Sequence, residues 1–205
     1  MDEPEPVWKL YERHAELWTQ RRQPGVTMEQ AWLDRFVHHL EPGAAVLDLG
    51  CGHGQPIAAK FLEDGFDLWG VDRAPTLIEE ARKNLPDGSW HVADLSSFDL
   101  GRTFGGIIMW HSLFHLTGPE QREVFPRLAA HAEAGAPLLF TAGPSAGSAP
   151  GEFGGEALAH HSLDPDEYAQ LLARVGFTVL DYRERDPECG NATVWLARYG
   201  DRDGA

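Results

Sequence analysis

The residues best suited to chemistry lie at the ends of short apolar runs. Val46-Leu47-Asp48-Leu49 stops in Gly50-Cys51-Gly52-His53-Gly54, and a second run, Phe66 to Val71, ends in Asp72, eighteen residues beyond Gly54. Glycines at alternate positions leave no side chain between a ligand and the backbone. A helix starting just after them adds free amides and the positive end of its dipole. An acid at the end of the next strand can accept hydrogen bonds from both hydroxyls of a ribose, so the combination predicts a nucleoside-type site. That spacing alone also admits a nicotinamide cofactor.

A second group follows a later apolar run, in Trp110-His111-Ser112-Leu113-Phe114-His115. A helical turn there would set His111 and His115 on one face, and each imidazole, with a reference pKa of ~6.5, could act as a general base near neutrality. The same spacing could hold a metal. No Glu follows His111 directly and no further ligand cluster is evident, so no metal is expected. Either histidine alone could instead cap the strand end or pack against the N-terminal helices.

These groups need a scaffold, and the periodicities predict one. Val46 to Leu49 reads as a strand covered on both faces, and Gln55 to Asp64 as a helix with Ile57, Phe61 and Leu62 on one side and Gly65 as its stop. Further strands are expected over Phe66–Val71, Gly88–Ala93, Phe104–Trp110 and Pro137–Ala142, alternating with helices. One helix follows Pro75 with Leu77, Ile78, Ala81 and Leu85 inward; another is boxed by Thr117 and Glu120 and runs to Ala134, kinked at Pro126. Ahead of the first strand, Val7, Leu10, Tyr11, Leu17 and Trp18 recur at helical spacing with His14 on the same stripe, and Pro24-Gly25 breaks it. A second helix is capped by Thr27, with Leu33, Phe36, Val37 and Leu40 buried.

The Gly-, Ala-, Ser- and Pro-rich stretch 143–155 reads as a structureless substrate loop closed by Glu156, His160 and His161. A helix capped by Asp164 leads into two β-rich runs, Phe177–Tyr182 and Thr193–Tyr199, whose short connection implies an antiparallel pair. Five βα strands and a terminal hairpin predict a doubly wound, Rossmann-like α/β fold: a seven-stranded, mostly parallel sheet with an antiparallel last strand and helices on both faces.

Bulk properties exclude several partners. The 205 residues hold 17 Lys and Arg against 32 Asp and Glu, a formal charge of −15, so nucleic acids and anionic membranes would be repelled. Cys51 and Cys189 are the only thiols, which predicts a reducing compartment and no disulfide framework. The acidic, Pro-rich start is unlike a signal peptide, and no apolar run approaches the ~20 residues that span a bilayer, so a cytoplasmic protein is expected.

From Tyr11 to Ala197 the chain resembles the class I S-adenosylmethionine-dependent methyltransferases, in particular small bacterial-type members with small-molecule acceptors. Their first motif is an acid, two residues and Gly-x-Gly-x-Gly, matched by Asp48, Gly50, Gly52 and Gly54; dinucleotide folds more often carry Gly-x-Gly-x-x-Gly with an apolar residue where Asp48 stands. The resemblance implies S-adenosyl-L-methionine as cofactor, bound by Asp48, Gly50, Cys51, Gly52 and Gly54, with the three glycines letting the backbone meet its methionine and ribose portions. It places Asp72 and Arg73 at the ribose, Asp94 and Leu95 at the adenine, and Trp110 near the methyl group. Tyr11, Ala15 and Trp18 fit a pattern in which an aromatic of the N-terminal helices reaches the cofactor.

The same resemblance implies a single domain: an N-terminal helical lid (1–42), a cofactor core (43–142), a flexible substrate loop (143–163) and a C-terminal helix with hairpin (164–199). His14, Trp18, His160 and His161 would line the substrate side, and His111 or His115 would orient or deprotonate the acceptor. The family's aromatic-Asp at the fourth strand is replaced here by Phe104-Gly105-Gly106. The expected activity is methylation of an O, N or C nucleophile of a small molecule. Two alternatives are a cyclase-like or sensor protein that binds the same cofactor without methyl transfer, and a nicotinamide oxidoreductase, which would give no reason for Asp48.

Overall fold

The computed structural model describes residues 5–22, 25 and 28–200. Its centre is β1 (Ala45–Leu49), flanked in parallel by β2 (Asp67–Asp72) and β4 (Gly106–Met109), with β3 (Ser89–Val92) and β5 (Pro137–Ala142) outside them. The order is β3-β2-β1-β4-β5-β9-β8, where β9 (Ala192–Tyr199) runs antiparallel to both β5 and β8 (Phe177–Asp186). Val46, Leu47, Leu49, Ile107, Ile108 and Met109 are all fully buried, as parallel strands covered on both faces require.

Two helical layers cover the sheet. On one face α3 (Gln30–Val37), α4 (Ile57–Glu63) and α5 (Pro75–Asn84) bring Trp32, Phe36, Phe61 and Ile78 against Val46 and Leu68. On the other, α6 (Gly118–His131) and α7 (Pro165–Arg174) bring Val124, Phe125, Leu128 and Leu172 against Leu47 and Leu138. Their starts follow the sequence signals: Glu120 Oε2 accepts from the Thr117 amide and hydroxyl, each at 2.7 Å, and Asp164 accepts from the Asp166 amide at 3.0 Å. Between these helices Tyr168 is fully buried, donating to Gln121 Oε1 at 2.5 Å and accepting from the Leu163 amide at 3.1 Å. Tyr168→Phe strands both partners and is expected to cost about 1–3 kcal/mol in chemical denaturation, with the fold retained.

Several boundaries differ from those expected. The N-terminal apolar stripe is split at His14 into α1 (Val7–Arg13) and α2 (Ala15–Arg21), because His14 leaves helical geometry at φ −109, ψ 27. The Thr27 cap lies outside the described residues; α3 follows Glu29, which makes no capping bond through its side chain. The fourth strand starts at Gly106, and a Cβ there would sit 2.6 Å from Leu40 Cδ2 and 2.8 Å from Phe36 Cζ. This part of the Gly105-Gly106 departure thus lets α3 lie directly on β4. Helix α6 ends at His131, three residues before Ala134.

The main correction concerns 143–163, expected as a structureless, flexible loop. Gly147–Phe153 (β6) and Glu156–Ser162 (β7) form an antiparallel hairpin in full register, turned by Gly154 and Gly155 at φ 63 and 82. Its composition has little strand propensity. What holds it is tertiary: Phe153 and Leu158 pack on Leu10 of α1, with Tyr11, Leu17 and Trp18 around them.

Candidate functional site

The glycine loop is built by backbone geometry. Gly50, Gly52 and Gly54 have φ of 83, 56 and 85, which glycine alone adopts at little cost. The amides of Gly50 and Cys51 donate to the Val71 carbonyl at 2.7 and 3.1 Å, so the ends of β1 and β2 are tied together. The Gly52 amide donates to Asp72 Oδ2 and the Ala74 amide to Oδ1, both at 2.9 Å, fixing the carboxylate beside the loop. Ser112 completes the frame from beyond β4 by donating its hydroxyl to the Leu49 carbonyl at 2.6 Å.

Charge is concentrated under this loop. Asp48 is 4% exposed, and burial, followed by the neighbouring Asp72, pushes its carboxyl up to about 7, with Arg22 opposing. Burial also raises Asp72, held back by the amides it accepts from. The Cys51 thiol goes up for the same reason and stays protonated, a packing group rather than a nucleophile. Arg22, at the end of α2, approaches Glu29 at 3.3 Å and Trp18 at 5.8 Å, while its Nε is buried without a partner among the described residues.

Asp94 has local work at its strand end. Its Oδ1 accepts from the Ser96 amide and hydroxyl at 2.9 and 2.8 Å, and its Oδ2 pairs with Arg73, whose guanidinium lies over Trp8. Leu95 packs behind Gly50, its Cδ1 3.6 Å from where a Cβ would stand.

An aromatic cap covers the loop. Tyr11, Trp18 and Phe153 sit with ring centroids 5.0–5.7 Å apart, and Trp18 Nε1 lies 2.8 Å from the place of a Cβ on Gly52. Glu156 ties the hairpin to the helices, accepting from Arg13 and His14 at 2.7 Å each. Thr76 at the start of α5 donates its amide and hydroxyl to Glu12 at 3.1 and 2.6 Å. His14 therefore belongs to the outer latch of the cap. Trp18 touches the glycine loop itself.

The histidines gather, but without the expected helical turn. His111 stands at φ 53, left-handed for a non-glycine residue, with its amide donating to Thr141 Oγ1 at 2.9 Å and its Nδ1 3.4 Å from the same oxygen. His115 ends a separate 3-10 turn, Leu113–His115, and its Nε2 lies 3.1 Å from the Tyr11 hydroxyl. From β7, His160 comes within 5.4 Å of the His115 ring and 4.6 Å of Phe114. His161 is the next residue of β7, so strand alternation turns its side chain to the opposite face; its carbonyl accepts from Gln121.

Burial lowers His111 to about 4 and His115 to about 3, with Arg22 next for the former and His160 for the latter, so both rings are neutral at pH 7. Tyr11 is pushed up to about 12 by burial and then Asp72. No group of three or more metal-ligating side chains occurs among the described residues. Trp110 is buried with its Nε1 unpartnered. Sequence reasoning missed Arg22, Ser112, Thr141 and Phe153 because none belongs to a spaced motif; each is drawn in by packing.

Comparison with known proteins agrees with this architecture. The methyltransferase-domain family matches residues 18–182. Carboxy-S-adenosyl-L-methionine synthase of Chromohalobacter salexigens is 35% identical over 114 residues, 50% of this chain and 41% of that protein. dTDP-3-amino-3,6-dideoxy-alpha-D-glucopyranose N,N-dimethyltransferase of Streptomyces fradiae is 32% identical over 96 residues, 45% of this chain and 37% of that protein. The chain thus aligns with about two-fifths of the length of these curated relatives. The S-adenosylmethionine-bound structure of CalS10, an amino pentose methyltransferase from Micromonospora echinaspora, superposes with a TM-score of 0.67 at 18% identity, covering 97% of this chain and 98% of that one. With four-fifths of its length matched and the strand order in place, the chain belongs to the methyltransferase-domain family.

Proposed function

We propose that the protein transfers a methyl group from S-adenosyl-L-methionine to a small, neutral acceptor. The observation that carries this reading is the convergence, at one edge of the sheet, of Asp48, the three left-handed glycines and Asp72, with polar atoms of Arg22 and Trp18 beside them buried and unpartnered among the described residues. Those groups fit the cofactor's parts. Asp48 suits its ammonium, Arg22 its carboxylate, Asp72 its ribose hydroxyls, and Asp94 with the Leu95 amide its adenine. Trp18 lies on Gly52, so entry requires its indole to move off the loop.

When bound, the cofactor supplies an already activated methyl group, and the remaining requirement is in-line placement at ~3–3.5 Å. The chain answers with a contiguous cluster of rings, Tyr11, Trp110, Phe114, Phe153 and neutral imidazoles, that can shield the reacting atoms from water and orient the acceptor. His111, held by Thr141 beyond β4 and kept neutral by burial, orients the acceptor. The amino-sugar relatives support a small-molecule acceptor, and two free, buried thiols support a cytoplasmic setting. A nicotinamide enzyme would leave Asp48 and Arg22 without a task. A binder that transfers nothing would leave the histidine cluster without one.

Calorimetric titration with S-adenosylmethionine, S-adenosylhomocysteine and NADH tests the assignment. Both sulfur compounds are expected to bind, and Asp72→Ala to weaken them about ten- to a hundredfold, the worth of one or two hydrogen bonds to a charged acceptor. Binding of NADH alone would overturn it.

A further inference from the structure

Building on that reading, we infer that His115 serves the acceptor as a fixed hydrogen-bond donor through Nδ1 rather than as a base, and that Tyr11 is the positioning residue that sets its tautomer. The Tyr11 hydroxyl lies 3.1 Å from His115 Nε2, and among the described residues it has no other hydrogen-bond partner. A phenol that keeps its proton must place it on an acceptor, and Nε2 is the one within reach. The ring proton of a neutral His115 then resides on Nδ1, which is buried and has no partner of its own among the described residues.

The surroundings keep the ring neutral. It faces Tyr11 from α1, His160 from β7 and Phe114 and His111 from its own segment, and none of these is a carboxylate that would favour an imidazolium. Asp72, the nearest acid to Tyr11 by its influence, is spoken for by two amides. An Nδ1–H donor pairs with a lone pair. The group held there is therefore a hydroxyl or carbonyl oxygen of the acceptor molecule, which keeps a second lone pair; an amine nitrogen, with one lone pair, could not be held there and attack the methyl group as well, and an ammonium is excluded from this position.

Histidine nitrogen NMR on the 15N-labelled protein, alone and with S-adenosylhomocysteine, tests the tautomer directly. The expected result is a protonated Nδ1 and a bare Nε2 at His115 from about pH 5 to pH 8, with Tyr11→Phe collapsing the preference into a mixture while His111 and His160 are unchanged. Protonation on Nε2, conversion to imidazolium within that range, or an unchanged tautomer in Tyr11→Phe would each overturn the inference. Side-chain amides give a second arm, because Asn places its N–H where Nδ1 stands and Gln where Nε2 stands. With radiolabelled S-adenosylmethionine and a mixed panel of phenols and amino sugars, His115→Asn should keep most of the methyl incorporation and His115→Gln lose at least tenfold. The reverse order counts against the donor role. Failure of S-adenosylhomocysteine to bind while the tautomer is as stated counts against the cofactor assignment alone.

Discussion

Asp48→Asn is expected to stabilise the ligand-free protein by roughly 2–4 kcal/mol at pH 8 while weakening S-adenosylmethionine binding. The carboxyl is raised from an ordinary 3.8 to about 7 in the folded chain, chiefly by burial and then by Asp72. A raised acid binds its proton more tightly when folded than when unfolded, so the folded state is penalised once the unfolded group ionises. That penalty is absent below about pH 4, grows through the interval, and is complete above about pH 7. At ~1.4 kcal/mol per unit it amounts to a few kcal/mol, and asparagine, of the same shape and without charge, removes it. Denaturant melts of both proteins at pH 5 and pH 8 measure it: the gain should be markedly larger at pH 8. An equal difference at both values would mean that Asp48 is already ionised and compensated. The same substitution deletes the anion opposite the cofactor's ammonium. Stability and binding are thus set against each other at one atom pair, as is common where a site holds strain for its ligand.

Gly50→Ala should destabilise the fold by roughly 2–5 kcal/mol. The residue has φ 83, where an L side chain costs about 1–2 kcal/mol, and its Cβ would stand 2.2 Å from Ser112 Cβ. Ser112 cannot retreat freely, since its hydroxyl donates to the Leu49 carbonyl at 2.6 Å and retreat would leave that carbonyl buried and unpaired. Overpacking of this kind adds about 1–3 kcal/mol. Gly101→Ala is the control: φ is 64 there too, but nothing lies within 4 Å of the added carbon, so only the conformational cost of about 1–2 kcal/mol should appear. If urea denaturation gives the two variants the same loss, the close approach to Ser112 is not a constraint.

What could be read in advance follows the range of the interactions involved. The run from Val46 to Gly54 and the caps at Thr117 and Asp164 are local in sequence, and they stand in the structure where their residue types put them. The break at His14 was invisible because the apolar stripe continues across it on both α1 and α2. The left-handed His111 left no trace either: a non-glycine residue takes that conformation because Thr141, thirty residues away, holds its amide. The hairpin did carry one short-range signal, Gly154-Gly155 between Phe153 and Glu156, which a stretch of Gly, Ser, Ala and Pro concealed. Its partner surface on α1 lies about 140 residues earlier, and no periodicity reports such a contact.

That pairing of distant segments makes the cap an exchangeable part. Among the described residues its hairpin joins no strand of the main sheet, and it is anchored through Leu10, Tyr11, Arg13, His14 and Trp18 on one side and Phe114, His115 and Gln121 on the other. A chimera that receives this hairpin without the matching N-terminal helices would lose the apolar seat of Phe153 and both donors to Glu156. Transplanted together, the two segments would keep these contacts, and the host would need to supply partners for His160 where Phe114 and His115 stand.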